Sequence, residues 1–347
     1  YPNPTLGVYW DEIGDRTGPG GIVNLPRFTQ DIVTGRKLSL SQAVAATEVN
    51  QATLSLLKER YAIIGSVRSA YYELYAMERR VEVLEDFVAL SAKSVKMGRE
   101  LVAGKQLSRL DLAQLEFEAA RFESQAESAR NELPGLRKRL AAVVGEPRLA
   151  VVATTGPFEM IPSYDADAIL DAVLASHPDV RSARVGIERS QAAIRRAEAE
   201  VIPNLSFTTG YIRQYENQSR DFQLGLSAPV PVWNRNQGNI RSAKAELGAA
   251  IQDVGRIENE LAERISTAIR KYSSAVKQAE LCRNNILPRA LEMHKLSLEA
   301  FRAGSFGNLR DAQRALAEAK LEYNQALGEA WMAAAELSAL SLQETWP

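Results

Sequence analysis

The sequence predicts a mainly α-helical protein with a small β part, organised as two internal repeats. Residues 38–102 and 238–302 have the apolar spacing of helices much longer than those of ordinary globular domains. Each of these segments follows a stretch in which apolar and polar residues alternate, which is typical of strands. Landmark residues also recur at a spacing of about 200 positions, which indicates a duplicated unit.

Composition excludes several classes of protein. The chain has 347 residues, of which 46% are hydrophobic, and a formal net charge of -1, whereas a nucleic-acid-binding protein would need a basic face. The one cysteine, Cys282, excludes an internal disulfide, and His177 and His294 are too far apart to suggest a zinc or copper site. No apolar run reaches the roughly 18 residues of a membrane helix. With no catalytic motif, the sequence predicts neither an enzyme nor a cofactor, metal or nucleic-acid partner.

Four short strands are predicted, two before each long helix. They are residues 1–10 with their proline-rich lead, 27–34, 205–215 and 222–228, joined by loops at 11–26 and 216–221. In the last strand Phe222, Leu224 and Leu226 alternate with polar or small residues. Pro229 and Pro231 then remove backbone donors, so the pairing ends and the chain turns directly into a long helix.

The predicted helices are separated by short breaks. They are residues 38–102, 108–144, 165–201 with an interruption near His177-Pro178, 238–302 and 308–342. A serine of the run Leu38-Ser39-Leu40-Ser41-Gln42 is the candidate N-cap of the first helix, and Pro134 is expected to kink the second. Residues 145–163 are predicted to be irregular.

These elements divide the chain into six segments. They are a first β-hairpin at 1–37, a long helical hairpin at 38–144, a linker at 145–164, a helix at 165–201, a second β-hairpin at 202–233 and a second long helical hairpin at 234–347. The repeat is visible in matching positions, which are Ala103-Gly104 with Ala303-Gly304, Tyr72 with Tyr272, Asp111 with Asp311, and Pro2-Asn3 with Pro203-Asn204. The helix at 165–201 has no counterpart before Tyr1, so we expect about 35 to 40 further residues upstream of the first repeat.

Four segments carry a resemblance to a known family. They are YPNPTLGVYW at 1–10, VIPNLSFTTGYI at 201–212, PVPVWNRNQGNIRSAKAEL at 229–247 and AGSFGNLRDAQRALAEAKLEY at 303–323. Together they resemble the outer-membrane efflux protein family, the TolC-like exit ducts of Gram-negative bacteria, over essentially the whole chain. The third segment, with its PVWNRNQGNI run, is similar to the heavy-metal cation branch of CzcC-like components.

The resemblance implies a homotrimer in the outer membrane. Each chain would give four strands to a twelve-stranded barrel and its helical hairpins to a periplasmic tunnel with a belt at the equator. Substrate, heavy-metal cations in this branch, would pass from an inner-membrane transporter of the RND type and a periplasmic adaptor to the exterior. The strands support this independently, because four strands cannot close a barrel and open edges in lipid leave backbone groups unpaired. The candidate lipid-facing residues are Leu205, Phe207, Tyr211, Phe222, Leu224 and Leu226, and the candidate lumen-facing residues are Ser206, Thr208, Gln223 and Ser227.

Two helix-to-helix turns are the candidate periplasmic tip, which in the family docks the adaptor and closes the tunnel. The candidate tip residues are Gly104, Leu107, Ser108, Arg109, Leu110 and Asp111 in the first turn and Gly304, Asn308, Leu309, Arg310 and Asp311 in the second. Glycine permits a positive φ at such a reversal. The charged residues could pair across protomers or ring the pore; alternatively they only cap helices, with Ser108 and Asn308 as N-caps. The candidate barrel–helix junction comprises Pro229, Pro231, Trp233, Asn234, Arg235 and Gly238.

Other functions stay open at this point. A TolC-like duct for drugs or for type I secretion would have the same architecture. A soluble coiled-coil scaffold would also contain long helices, and partition of the strand segments into detergent would separate it from a channel. A metal-binding periplasmic protein or an enzyme is disfavoured by the shortage of His, Cys and Met.

Overall fold

The computed structural model describes residues 1–11, 21–215, 218–303 and 308–344. Its elements are, in chain order, β1 (Thr5–Asp11), β2 (Ile22–Ile32), α1 (Lys37–Ala103), α2 (Arg109–Val144), α3 (Ala166–Ser176), α4 (Pro178–Ala199), β3 (Leu205–Gln214), β4 (Arg220–Ser227), α5 (Gln237–Leu281), a π-helical turn (Cys282–Ile286), α6 (Leu287–Arg302) and α7 (Leu309–Leu340). The chain forms two compact units. The sheet unit contains Tyr1–Ser55 and Pro178–Ile257, and the helical unit contains Leu56–His177 and Glu258–Pro347.

The two longest helices begin in the same way, 200 residues apart. Arg36 before α1 and Asn236 before α5 have left-handed backbones, with φ of 56° and 59°. Their carbonyl oxygens accept hydrogen bonds of 3.0 Å from the N–H groups of Leu40 and Ile240. The predicted serine cap of α1 is wrong, because the helix already begins at Lys37, before both Ser39 and Ser41, and the Ser39 hydroxyl donates to the Arg36 carbonyl. The internal repeat therefore extends to the backbone at each helix start.

The second long helical segment is interrupted, contrary to the prediction of one helix over 238–302. A π-helical turn at Cys282–Ile286 separates α5 from α6, and Pro288 stands in the first turn of α6. Proline has no N–H and its ring clashes with the carbonyl of the residue four positions earlier, so a wider turn relieves the conflict. In contrast, α2 continues as a single helix through Pro134.

The four strands form one antiparallel sheet in the order β1-β2-β3-β4. β1 includes Asp11 and β2 begins at Ile22, so the predicted loop 11–26 is wrong at position 11 and at its last five positions. The second predicted loop, 216–221, is wrong at positions 220–221, which belong to β4. Positions 12–20 and 216–217 lie outside the described residues. The pairing register shifts between Asn24 and Arg27 on both sides of β2. Because of this irregularity Pro26 is not one of the paired positions. Its lack of a backbone N–H group therefore removes no hydrogen bond from the sheet.

The sheet has two chemically different faces, as the alternation predicts. On one face a row of side chains crosses the four strands, because Leu6 pairs with Phe28, Phe28 pairs with Thr209 and Thr209 pairs with Leu224; it is apolar on every strand except β3. On the other face Asn24 Nδ2 donates a 2.6 Å hydrogen bond to Gln223 Oε1. Such a polar layer on one side and an apolar layer on the other matches strands that separate two environments.

The helical unit depends on close packing of α1 against α7. A Cβ atom placed on Gly65 would lie 2.5 Å from the Cβ of Ala339, and one on Gly328 would lie 2.7 Å from the Cβ of Ala76. Both glycines therefore allow a helix separation that no larger residue fits. Between these points Arg68 Nη1 donates to the Ser338 hydroxyl over 2.9 Å.

Residues 145–164 contain no regular element in the described structure and are held against the helices by side chains. The Tyr75 hydroxyl of α1 donates to the Gly156 carbonyl over 2.9 Å, and Tyr71 contacts the backbone of Thr155. On α5 the Tyr272 hydroxyl donates to the Pro162 carbonyl. This linker is therefore fixed to helices of both repeats within the helical unit.

Candidate functional site

The first tip turn joins α1 to α2 and reverses at Lys105. The N–H of Gln106 bonds to the Leu101 carbonyl over 2.8 Å, and the N–H of Gly104 bonds to the Glu100 carbonyl over 3.0 Å. Lys105 has a φ of 58°, whereas the backbone of Gly104 is not left-handed. The expectation that Gly104 supplies the positive φ is therefore wrong, because the chain completes one more helical residue before it reverses.

Ser108 caps α2, as one of the two sequence interpretations predicts. Its hydroxyl oxygen accepts a 3.1 Å hydrogen bond from the N–H of Asp111, and the hydroxyl donates over 2.6 Å to Asp111 Oδ2. The carboxylate in the first turn also lies at the positive end of the helix dipole. Asp111 is therefore engaged within its own chain.

The second tip turn joins α6 to α7. Gly304 lies outside the described residues, which resume at Asn308. The side chain of Asn308 makes no capping hydrogen bond, so its predicted role as an N-cap is wrong; its φ of -111° and ψ of -10° are far from the extended backbone that a cap residue adopts. Arg310 Nη1 donates over 2.8 Å to Gln114 Oε1 on α2, and its Nε donates to Asp311 Oδ1 over 2.9 Å. Arg310 thus links the two helical hairpins near the tip.

The predicted tip residues divide into a buried and an exposed set. Leu107 and Leu309 are buried in a cluster that also contains Phe301 and two further apolar residues, Val95 and Leu115. They cannot contact an adaptor directly. In contrast, Leu110 is 68% exposed, and Ser108, Arg109, Asn308 and Asp311 are exposed as well.

The junction between β4 and α5 is exposed and held by short-range hydrogen bonds. Trp233 is 89% exposed, and Pro229, Pro231, Asn234 and Arg235 lie beside it on the surface of the sheet unit, with Pro231 half-buried. Asn234 Oδ1 accepts a 3.0 Å bond from the N–H of Asn236, which sets the turn into the helix. Gly238 already belongs to α5 and has open space where a Cβ would lie, so no close contact requires glycine there.

The six predicted lipid-facing residues lie on the same face of the sheet. Phe207 pairs with Leu226 and Tyr211 pairs with Phe222 across β3 and β4. The three residues of β4, Phe222, Leu224 and Leu226, are highly exposed. The four polar residues predicted for the lumen lie on the opposite face, and Gly210 on that face leaves room for Asn24, whose Oδ1 would overlap any Cβ there. Within the described residues this apolar face is therefore exposed along β4 and half-buried at Leu205 and Phe207 of β3.

Comparison with known proteins agrees with this geometry. The family model described as outer membrane efflux protein matches residues 169–341. The cobalt-zinc-cadmium resistance protein CzcC of Cupriavidus metallidurans is 26% identical over 338 residues, which is 96% of this chain and 79% of that protein. Residues 169–341 thus match the outer membrane efflux protein family, and nearly the whole chain is similar to CzcC.

Solved structures of outer membrane channels share the fold. The outer membrane protein VceC from Vibrio cholerae superposes with a TM-score of 0.77 and 17% identity over 98% of this chain and 86% of that chain. CusC superposes with a TM-score of 0.81 and 15% identity over 97% of this chain and 82% of that chain. The predicted fold class, long helical hairpins with four strands in two repeats, is therefore confirmed.

The perturbed pKa values of Glu78 and Tyr164 lie at the linker, residues 145–164, and at the helix beside it. Burial opposes ionisation of Glu78, but hydrogen bonds from the hydroxyl and N–H of Thr154 and from Arg137 outweigh it and lower the pKa of that carboxyl. Burial, with the Tyr272 ring next to it, raises the pKa of Tyr164 to about 12. Both groups therefore keep one protonation state near neutral pH, the carboxylate charged and the phenol neutral.

Neither histidine forms part of a cluster that could bind a metal. Burial, followed by the nearby Lys320, lowers the pKa of His294, and its Nε2 is buried without a hydrogen-bond partner. Within the described ranges no group of three or more His, Cys, Asp or Glu side chains is placed to hold a metal ion. Across the same residues, no helix is both long and apolar enough to cross a membrane.

Proposed function

We propose that the chain is the exit duct of a tripartite efflux pump in the outer membrane of a Gram-negative bacterium and that it conducts its substrate passively. One observation carries this proposal. The sheet β1–β4 has an exposed apolar face and an opposite polar face, and its two outer strands have no further strand beside them in the described part of the chain. Two of its strands lead into the long helices α1 and α5. An antiparallel sheet of this kind, repeated around an axis, forms a wall between lipid and water.

Closure of that wall requires more than one copy of the chain. Among the residues that the structure describes, none pairs with the outer edges of β1 and β4, and unpaired backbone groups in hydrocarbon cost roughly 2–7 kcal/mol each. Three copies would supply twelve strands, a number within the range of membrane barrels. The row Leu6, Phe28 and Leu224 then contacts lipid, and Asn24 and Gln223 line the aqueous lumen.

The cargo we propose is heavy-metal cations. The relative CzcC is named for resistance to cobalt, zinc and cadmium, and it aligns with almost the whole chain. A passive duct needs no resident metal site, because tight coordination would hold the ion and slow its release. In this proposal an RND-type pump in the inner membrane selects the ion and supplies the energy.

The exposed part of the tip is the proposed docking surface for the periplasmic adaptor. Arg109 and Leu110 begin α2, and Asn308 and Asp311 flank the start of α7. The adjacent residues Leu107 and Leu309 are buried together in the apolar cluster of the tip. A surface with an exposed leucine between charged side chains provides both an apolar anchor and a polar rim.

The channel function is tested by two measurements on the full-length protein. Purified protein in planar lipid bilayers should show stable ion conductance, and expression with its pump and adaptor should raise cobalt, zinc or cadmium tolerance of a strain that lacks its own duct. A monomer without conductance would contradict the duct. Conductance with drug tolerance alone would contradict the metal cargo and favour the drug duct.

The docking surface is tested by charge and polarity changes that leave the tip core intact. Leu110→Asp should weaken adaptor binding by at least about tenfold if it removes the anchor, since 1.4 kcal/mol corresponds to a factor of ten. Phe117→Asp is the matched control, because Phe117 is equally exposed on α2 and lies away from the turn. Equal losses for both variants, with unchanged conductance, would argue against docking at the tip.

A further inference from the structure

A groove runs along one side of the helical unit, between α2 and α5. Side-chain contacts set the helices of this unit side by side in the order α2-α1-α7-α5. Arg139 of α2 donates over 2.6 Å to Glu73 of α1, and α1 packs closely against α7. Lys271 of α5 pairs with Glu336 of α7 over 3.4 Å. Residues of all four helices line the groove, which has a volume of about 900 Å³. The row of helices is therefore curved, and the groove lies on its concave side.

The linker lies on the opposite side of the same helices. Tyr71 of α1 contacts the linker, whereas Ser69 lines the groove. Trp331 of α7 bonds to the linker, whereas Glu329 lines the groove. Two positions along a helix correspond to a rotation of about 200°, so the two members of each pair point to opposite sides. The linker therefore does not cover the groove.

The groove is lined by more positive than negative charge. Its charged lining residues are four cations, Arg139, Arg264, Arg270 and Lys271, and two carboxylates, Glu329 and Glu336. Arg139 and Lys271 are each paired with a carboxylate. Arg264 and Arg270 of α5 are exposed, and neither forms an ion pair with any residue that the structure describes. After the two pairs are set aside, two guanidinium groups and the single carboxylate of Glu329 remain, so the groove keeps a net positive charge.

Hydroxyl groups and small side chains complete the lining. Ser66 and Ser69 of α1 and Ser274 of α5 line the groove, and none of these hydroxyls makes a hydrogen bond within the described ranges. Ser274 follows Arg270 by about one helical turn, so the two side chains are neighbours on α5. Gly65 and several alanines form the floor and leave the volume open. The groove thus presents guanidinium and hydroxyl donors together.

This set of donors matches an oxyanion. A guanidinium group donates two parallel hydrogen bonds to a carboxylate or a phosphate, and such charge-assisted bonds are about twice as strong as neutral ones. The same lining repels a bare metal cation. The volume falls within the range of small-molecule sites, roughly 300–1,000 Å³. Because the rise from Arg264 to Arg270 is about 9 Å along α5, a ligand that reaches both arginines carries more than one anionic group.

We propose that the groove binds a multivalent oxyanion, a small molecule with several carboxylate or phosphate groups, through Arg264 and Arg270. Ser274 donates a further hydrogen bond to the anionic group that Arg270 holds. The binding site itself rests only on the geometry of the helical unit.

The consequence for transport rests on the proposed function. When curved walls close into a ring of identical chains, their concave sides turn toward the axis, so the groove of each copy faces the passage. The cargo cations then pass this level together with the bound oxyanion, which offsets the positive charge of the lining.

Titration calorimetry on the full-length protein in detergent tests the site at constant ionic strength. Citrate is the carboxylate probe and pyrophosphate is the phosphate probe, and the one that binds more tightly identifies the anionic group. The variant Arg264→Gln with Arg270→Gln should bind that probe at least about tenfold more weakly, because it loses two charge-assisted contacts. The variant Arg264→Lys with Arg270→Lys keeps the charge without the fork, so its affinity should lie between the two.

The matched control is Arg289→Gln with Arg302→Gln. Both arginines lie on α6, are exposed and do not line the groove, so this variant should bind the probe as the unchanged protein does. If the unchanged protein binds neither probe, or if the control loses as much affinity as Arg264→Gln with Arg270→Gln, the oxyanion site is overturned.

Reversal potentials in planar lipid bilayers under a KCl gradient test whether the groove faces the passage. Arg264→Gln with Arg270→Gln should shift the reversal potential toward cation selectivity, and the control variant should not. Conductance without probe binding overturns the site and leaves the duct standing. Probe binding that depends on the two arginines, without conductance, contradicts the duct and leaves the site intact. Binding and conductance with the same reversal potential in all variants contradict the position of the groove in the passage.

Discussion

Trp331 donates a 2.7 Å hydrogen bond from its indole Nε1 to the backbone carbonyl oxygen of Phe158. The indole is fully buried and stacks on the ring of Tyr72, with the ring centroids 4.2 Å apart. Phe158 belongs to the linker, Tyr72 to α1 and Trp331 to α7. One side chain therefore joins the irregular segment between the repeats to a helix of each repeat within the helical unit.

Trp331→Phe removes the N–H donor and keeps most of the ring. The buried Phe158 carbonyl would lose its partner, so we expect a loss of about 1–3 kcal/mol in stability. Thermal denaturation in detergent should begin at a lower temperature, and proteases should cleave within 145–164 more readily. Trp233→Phe is the matched control, because Trp233 is exposed in the isolated chain; an effect on linker cleavage equal to that of Trp331→Phe would contradict the role of the hydrogen bond.

The contact between Gly328 and Ala76 makes a second prediction. Gly328→Ala would force α1 and α7 apart, because the added Cβ lies 2.7 Å from that of Ala76. Overpacking of this kind costs typically about 1–3 kcal/mol. Adding Ala76→Gly should return much of the stability, since it removes the atom that collides.

The control for this packing is a glycine without a neighbour. Gly255 lies in α5 with nothing within 4 Å of a Cβ placed there, so Gly255→Ala should be neutral or stabilise by roughly 0.5–1 kcal/mol. A Gly328→Ala variant as stable as Gly255→Ala, or a double variant no better than the single, would show that the helices do not pack this closely.

The sequence was sufficient for the elements that periodicity specifies. Long runs such as 38–102 could be assigned to helices, because an apolar face over many turns leaves little choice. The face assignment of Phe222, Leu224 and Leu226 also follows from alternation alone. These features are local or periodic, so they can be predicted without knowledge of tertiary contacts.

Features that depend on tertiary contact or on one turn of backbone could not be predicted. The sequence predicts that the linker is irregular, and no local pattern indicates that the Trp331 indole donates a hydrogen bond to the Phe158 carbonyl. The start of β2 at Ile22 could not be predicted, because proline disfavours a paired strand and the sequence does not reveal the irregularity that excludes Pro26 from pairing. At the tip, glycine favours the left-handed region at Gly104, but the helix ends one residue later at Lys105.

Lys105 provides a third prediction. A residue with a side chain in the left-handed region is strained by about 1–2 kcal/mol, and glycine is not. Lys105→Gly should therefore raise the stability of the tip, whereas Gly104→Ala should have little effect, because no atom lies closer than 3.6 Å to the added Cβ. Hydrogen exchange at the turn measures both, and strong destabilisation by Gly104→Ala would contradict the observed geometry.

Glu78 provides the last prediction, which concerns pH. Its carboxylate accepts hydrogen bonds from the Thr154 N–H over 2.9 Å, from the Thr154 hydroxyl over 2.7 Å and from Arg137 over 3.1 Å. Burial alone would raise its pKa, but these donors hold it below the ordinary value of 4.5. A carboxyl with a depressed folded-state pKa stabilises the fold above the unfolded pKa, and that contribution is lost as the pH falls through the folded pKa.

Glu78→Gln should therefore have a lower denaturation temperature than the unchanged protein at pH 7. This difference should disappear as the pH falls below about 4.5. The amide keeps the shape of the side chain but cannot carry the charge that Arg137 and Thr154 stabilise. Glu82→Gln is the matched control on α1, since Glu82 pairs with Arg79 in solvent and an exposed pair contributes little. Denaturation temperatures of the three proteins between pH 3 and pH 7 decide the matter. If the denaturation temperatures of the two variants depend on pH in the same way, the charge of Glu78 does not stabilise the contact between the linker and α1. Its hydrogen bonds to Thr154 then contribute only as neutral contacts.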